Sequence, residues 1–248
     1  MDRSSGGFSL VIIRFDITGS AGGEGSVMSI PAPSREIKDF IAGCLKGESA
    51  DFLKKMENLG NFLYEMNRQV NLTAIKEDGF WSRHVADSLS PALFFPELFN
   101  RPHKLADLGC GAGFPSLVLA AAFPETTITS IDSTRKKIDY VNHAAEKIGL
   151  HNLTGVHGRG NELGRKEPYK GSYDAVFARA VASADILIKE ALGLLKPGGS
   201  LIIYRTPDQY AEEIPFLKKW KKGFWHGTET FELPENAGTR LFLQIRLK

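Results

Sequence analysis

The sequence predicts an α/β protein: a mostly parallel, seven-stranded sheet preceded by an N-terminal helical extension. Three observations carry this expectation. From Lys104 onward, apolar segments of strand length alternate with segments of helical periodicity. The first strand-like segment runs straight into Gly109, Gly111 and Gly113, and a helix-like apolar segment, residues 117–123, follows at once. That is the strand, glycine turn and helix of a ligand-binding α/β unit. The last two strand-like segments, 224–231 and 241–247, have only a loop between them and so form an antiparallel hairpin.

Residues 1–30 differ from the rest. Gly6, Gly7, Gly19, Gly22, Gly23 and Gly25 surround a short apolar stretch broken by Arg14 and Asp16. This predicts a disordered extension and makes a poor signal-peptide core. Met28 stands just ahead of the first helical sequence and is the expected natural start. Residues 31–100 read as a helical region. Ser34 opens it as a capping residue, and Phe52, Leu53, Met56, Leu59, Gly60 and Leu63 share one face at helical spacing. Asn71-Leu72-Thr73 interrupts the helices, and another helix over about 79–95 carries Arg83, His84, Asp87 and Ser88.

Residues 101–248 form the main domain, with strands expected near 104–109, 127–132, 152–157, 173–178, 199–205, 224–232 and 240–247. A helix spans about 133–148. Another spans 182–195 and stops at Lys196-Pro197-Gly198-Gly199.

The glycine loop specifies the ligand class further. Glycine lets the chain turn tightly and lie against a ligand, and the next helix turns its free N–H groups toward it. A pyrophosphate-binding G-x-G-x-x-G would have a third glycine where Phe114 stands, which disfavours a nicotinamide cofactor. Pro115 suits the first turn of a helix. Asp132 ends a β-branched strand 23 residues after Gly109. One βαβ step places it where a carboxylate accepts hydrogen bonds from ribose hydroxyls. The competing role is an N-cap, for which Ser133 or Thr134 would also serve.

Composition narrows the classes. A chain of 248 residues suits one large α/β domain with an appendage, and the net charge of +2 excludes a histone-like polycation. No apolar run reaches the ~20 residues of a membrane span. Two cysteines, Cys44 and Cys110, and six scattered histidines give neither a disulfide framework nor a metal site. A cytoplasmic, metal-free protein is expected.

The run Asp107-Leu108-Gly109-Cys110-Gly111-Ala112-Gly113 resembles the first motif of class I S-adenosylmethionine-dependent methyltransferases, whose Rossmann-like sheet has seven strands. The likeness extends further. Asn71-Leu72-Thr73, Arg83-His84, Asp87-Ser88-Leu89, Phe114-Pro115, Ile131-Asp132-Ser133 with Lys136-Lys137, Leu150–Leu153 with Arg159, and Asp174 with Arg179-Ala180 stand in one order. In that order they resemble the glucose-inhibited division protein B family, the small-subunit ribosomal RNA methyltransferases G. The resemblance implies methylation of guanine N7 in 16S rRNA, naked or within a 30S particle, with S-adenosylmethionine as cofactor. It implies cofactor contacts from Gly109, Phe114, Gly160, Asn161 and Arg179, to which the loop adds Gly111 and Gly113 and the second strand adds Asp132. Ser116, Arg159-Gly160-Asn161 and Arg205-Thr206 depart from the family's usual residues, the last replacing Lys-Gly.

Guanine N7 has an in-plane lone pair and no proton to lose, so positioning and electrostatics would supply the acceleration without a strong base. Arg179, at the end of the fourth strand, is the expected catalytic positioning residue; its competing role is a salt bridge to Asp174 or Asp132. His84 is the alternative base, a phosphate contact or a core histidine, and Cys110 reads as a packing residue and not a nucleophile. Arg83, His84, Arg135, Lys136 and Arg205 are expected to rim an RNA site, with the guanine looped out and the protein a monomer. Three alternatives remain at this level: a methyltransferase acting on another RNA, a small molecule or a protein, a nicotinamide oxidoreductase, and a ribosome-assembly binder that retains the fold.

Overall fold

The computed structural model describes residues 29–247, apart from 46 and 48. The glycine-rich extension and the expected start at Met28 lie outside the described residues. Helices α1 (Arg35–Leu45) and α2 (Ala50–Asn67) come first. The Ser34 hydroxyl accepts the Ile37 N–H at 3.3 Å, as its capping role requires. The expected helix over 79–95 is instead a chain of short turns. A 3₁₀ turn (Glu77–Gly79) leads into a π-helical turn (Phe80–Ala86), α3 (Asp87–Leu89), α4 (Pro91–Phe94) and a second 3₁₀ turn (Pro96–Leu98). Pro91 and Pro96 each lack an N–H and so each restarts the chain at a first helical position.

The sheet then alternates with helices: β1 (Lys104–Leu108), α5 (Ser116–Ala122), β2 (Thr127–Asp132), α6 (Arg135–Lys147), β3 (Leu153–His157), α7 (Gly160–Leu163), β4 (Tyr173–Ala178), α8 (Ala184–Ala191), β5 (Leu195–Arg205) and α9 (Pro207–Lys219). β6 (Gly223–Gly227), β7 (Phe231–Glu232) and β8 (Thr239–Leu247) close it. The strand order is β3-β2-β1-β4-β5-β8-β6, with β7 paired to β8 off that path. The first five strands are parallel and β8 runs antiparallel to β5, β6 and β7. The expected strand over 224–232 is thus split, leaving the two-residue β7. The expected helical stop at Lys196–Gly199 lies within β5, because α8 ends earlier and Leu195 pairs with Tyr173. A register shift between Tyr173 and Ala175 absorbs the extra residues, with Gly198 at φ +78°.

Alternation along the strands builds two cores. Leu105, Ala175, Phe177, Ile202 and Phe242 face α1, α2, α5, α6 and the π-helical turn. Ala106, Leu108, Val176, Ala178, Ile203 and Leu243 face the side of α7, α8 and α9. Successive strands move outward from β1 in both directions, so the sheet reverses order between β1 and β4. A crevice opens there at the strands' C-terminal ends.

Candidate active site

The crevice holds a cavity of about 670 Å³. Gly109, Gly111, Phe114, Asp132, Gly160 and Arg179 line it together, joined by Thr73, His84, Lys137 and Glu190. Gly109 (φ +72°) and Gly111 (φ +56°) both occupy the left-handed region. A Cβ at Gly109 would lie 2.6 Å from Val181, whereas one at Gly111 would project into open space. The loop is therefore both tightly packed and open to a ligand.

Asp132 is buried at the end of β2, and Thr134, not Asp132, stands at the N-cap of α6. The Asp132 Oδ2 accepts the Gly111 N–H at 3.0 Å and its Oδ1 accepts the Thr134 N–H at 2.8 Å, which leads the chain into α6. Each oxygen keeps a lone pair for a ligand hydroxyl. Asp107, fully buried beneath the loop, takes the Ser116 N–H at 3.1 Å and ties α5 to β1. Burial pushes its pKa up to about 6. The same burial raises the Cys110 thiol well above its ordinary value, so Cys110 stays protonated and is no nucleophile.

Arg179 pairs with neither Asp174 nor Asp132. Its guanidinium donates to Asp87 Oδ2 and to the Arg83 carbonyl, both at 3.1 Å, and sits 5.7 Å from the Phe114 ring centre. His84 stacks on Phe114 with ring centres 4.2 Å apart. Its Nδ1 faces the Arg179 NH2 group at 3.5 Å, and its Nε2 lies 3.0 Å from Thr73 Oγ1. Arginine can only donate, so Nδ1 is the acceptor and Nε2 carries the proton. Burial first, and the Arg179 charge second, lower its pKa to about 3. A neutral ring with both nitrogens engaged is not a general base.

Several expected positions are corrected. His84 is buried at 3% exposure and is a wall of the cavity, not part of an outer basic rim. Arg205 is 4% exposed and spends its guanidinium on Glu213, at 2.9 and 3.0 Å, and on the Tyr204 and Ala182 carbonyls. It is a buried ion pair and has no free charge for RNA. Gly113 does not line the cavity; its missing Cβ makes room for Leu117 and Val141. Asn161 also lies off the wall, its N–H bound to Glu190 Oε2 at 3.1 Å. Arg135 and Lys136 are exposed at the start of α6 and line neither this cavity nor the neighbouring hollow, on which Arg83 is exposed.

Thr73, Asp87, Lys137 and Glu190 were not singled out as site residues from the sequence. The signal for Thr73 was the break in helical pattern at Asn71-Leu72-Thr73. Asn67 holds that loop by accepting the Leu72 and Thr73 N–H groups and donating to the Thr73 carbonyl.

A model of the rRNA small subunit methyltransferase G family (GidB) matches residues 52–230. The chain belongs to this family. It is 37% identical over 194 residues to the ribosomal RNA small subunit methyltransferase G of Brevibacillus brevis, covering 75% of this chain and 79% of that protein. It is 38% identical over 189 residues to the protein of that name from Staphylococcus aureus strain Newman, covering 75% and 78%. Among solved structures, a SAM-dependent methyltransferase from Aquifex aeolicus superposes with a TM-score of 0.47 at 16% identity, over 64% of this chain and 89% of that one. The mostly parallel sheet with an antiparallel end that the sequence predicts is present, with β7 added off its main path. Among the described residues no helix is long and apolar enough to cross a membrane, and no group of three or more His, Cys, Asp or Glu residues is placed to hold a metal ion.

Proposed function

We propose that this protein transfers a methyl group from S-adenosylmethionine to N7 of a guanine in 16S rRNA, acting in the cytoplasm as a monomer on the naked RNA or a 30S particle. The observation that carries the reading is the site itself. An open glycine loop, a carboxylate one strand away and a charge-compensated arginine converge on one cavity in a chain of the rRNA small subunit methyltransferase G family. The cavity volume falls within the ~300–1,000 Å³ of small-molecule sites.

The residues present fit this cofactor. Gly109 and Gly111 let the backbone approach it, and Asp132 has free lone pairs for ribose hydroxyls. Val181 and Ile186, both exposed and on the cavity wall, offer apolar cover to a base. When bound, S-adenosylmethionine supplies a methyl group activated by its sulfonium charge.

Guanine N7 forms the new N–C bond with its lone pair as the S–C bond breaks, and the positive charge passes to the purine. No proton leaves, so His84 need only hold Arg179 and Phe114 in place. Asp87 offsets the Arg179 charge, which lets a guanidinium donate to guanine O6 without opposing the cationic product.

The test is transfer of label from tritiated S-adenosylmethionine to 16S rRNA, 30S particles and free guanosine. Label in RNA or particle and none in guanosine is expected. Label in a small molecule alone would favour a different methyltransferase. Cofactor binding by calorimetry with no labelled acceptor would favour an assembly factor.

A further inference from the structure

Beside the cofactor cavity lies a second hollow of about 410 Å³, and the two share Ile75, Arg179 and Ala180. Four guanidinium groups line the hollow, those of Arg83, Arg179, Arg205 and Arg240, against one carboxylate, Asp87. Asp87 is 7% exposed and is shared, with Arg179 at 3.1 Å from Oδ2 and Arg240 Nε at 3.3 Å from Oδ1. Arg205 is neutralised from behind by Glu213. Arg83 is exposed and has no carboxylate partner among the described residues. Of the four positive charges, Asp87 and Glu213 offset two, and two face the hollow unmatched.

Arginine forks match phosphate oxygens in geometry as well as charge, and a partly buried surplus of them selects an anion. The hollow's volume again lies in the ~300–1,000 Å³ range, enough for more than a bare anion. Ile75, Arg179 and Ala180 together form the border with the cofactor cavity. Ala180 holds φ +53°, an uncommon conformation for a residue with a Cβ, and contributes only a methyl group to that border.

We propose that this hollow seats the target nucleotide of the RNA, with a phosphate beside the guanosine held by Arg83 and Arg240 and the base turned past Ala180 toward the cofactor cavity. The assignment rests on the reading of the chain as an RNA guanine methyltransferase. It adds a binding residue, Arg240 of β8, that lies far in sequence from the glycine loop. Arg179 faces both spaces and links donor to acceptor.

The test is steady-state methylation of 16S rRNA or 30S particles between 50 and 200 mM salt, for wild type, Arg83→Gln and Arg240→Gln. Cofactor affinity is read by calorimetry and folding by thermal melting. Each substitution removes one charge-assisted contact, so the RNA KM should rise by about tenfold with kcat within about twofold. The slope of log(kcat/KM) against log[salt] should fall in magnitude by about one per residue, with cofactor affinity unchanged. Arg240→Lys, which keeps the charge, should recover most of the KM. Arg83 is exposed and outside the Asp87 pairing, so Arg83→Gln reads the contact even if Arg240→Gln melts early. Wild-type KM and salt slope in Arg83→Gln and in a folded Arg240→Gln overturn the proposal alone. Loss of cofactor affinity in Arg240→Gln with an unchanged salt slope also overturns it, because Arg240 would then act only through Asp87. A wild-type enzyme that labels no RNA overturns the functional reading and this proposal with it.

Discussion

His84 is neutral because burial and the Arg179 charge both disfavour its proton, and that has a consequence for acid stability. Its pKa falls from 6.5 in an unfolded chain to about 3. The folded state therefore binds fewer protons, and the stabilisation is complete above pH 6.5 and lost as pH falls toward 3. Asp107 runs the other way. Its pKa of about 6 lies above the ordinary 3.8, so its burial costs stability as pH rises between those values. The two slopes oppose each other from about pH 4 to 6, which masks both in the wild type. Replacing His84 with Gln removes one of them. The stability gap between wild type and His84→Gln should shrink by about 2 kcal/mol from pH 7 to pH 5, measured by urea unfolding. A gap independent of pH would mean that the ring titrates normally. At this scale the sequence revealed what local spacing decides, namely the glycine loop and Asp132. It did not reveal burial. Arg205 and His84 look like any surface cation until the fold encloses them, and Arg179 finds Asp87 only because the chain returns across 92 residues.

Arg205-Thr206, the departure from the family's Lys-Gly, is accounted for by the element it begins. Thr206 caps α9: its hydroxyl accepts the Gln209 N–H at 3.3 Å while Gln209 Oε1 accepts the Thr206 N–H at 3.1 Å. In this reciprocal box, with Pro207 in the first turn, the Thr206 hydroxyl satisfies the Gln209 N–H, which a glycine would leave to water. Thr206→Ala should lower stability by about 1 kcal/mol without changing cofactor affinity, read by urea unfolding beside calorimetry. A matching loss of cofactor affinity would instead tie the residue to the site. Strands β1 to β5 were legible because continuous apolar runs between helical segments have few other solutions. The turns at 77–98 were not. Their apolar spacing suits a helix, while Pro91 and Pro96 and the π-helical turn shift the phase. That shift presents Arg83 to the outer hollow and His84 to the inner cavity from adjacent positions.

The whole molecule is arranged around the order reversal between β1 and β4. The parallel strands direct Gly109, Asp132, Gly160 and Arg179 to one edge, and the N-terminal helices bring Thr73, His84 and Asp87 across it. β8 adds Arg240 from the far end of the chain. Two adjoining cavities result, one open-looped and one arginine-lined, meeting at Ile75, Arg179 and Ala180. On the proposed reading the methyl group reaches a base swung out of its stack, at an atom needing no proton removed. The most direct measurement is therefore the position of the methyl group. 16S rRNA modified by the purified protein is treated by mild reduction and aniline, which cleaves the chain at N7-methylguanine. One new scission is expected in RNA treated with protein and S-adenosylmethionine, absent when either is withheld. Methylated RNA with no scission would place the methyl on another atom and contradict transfer to N7.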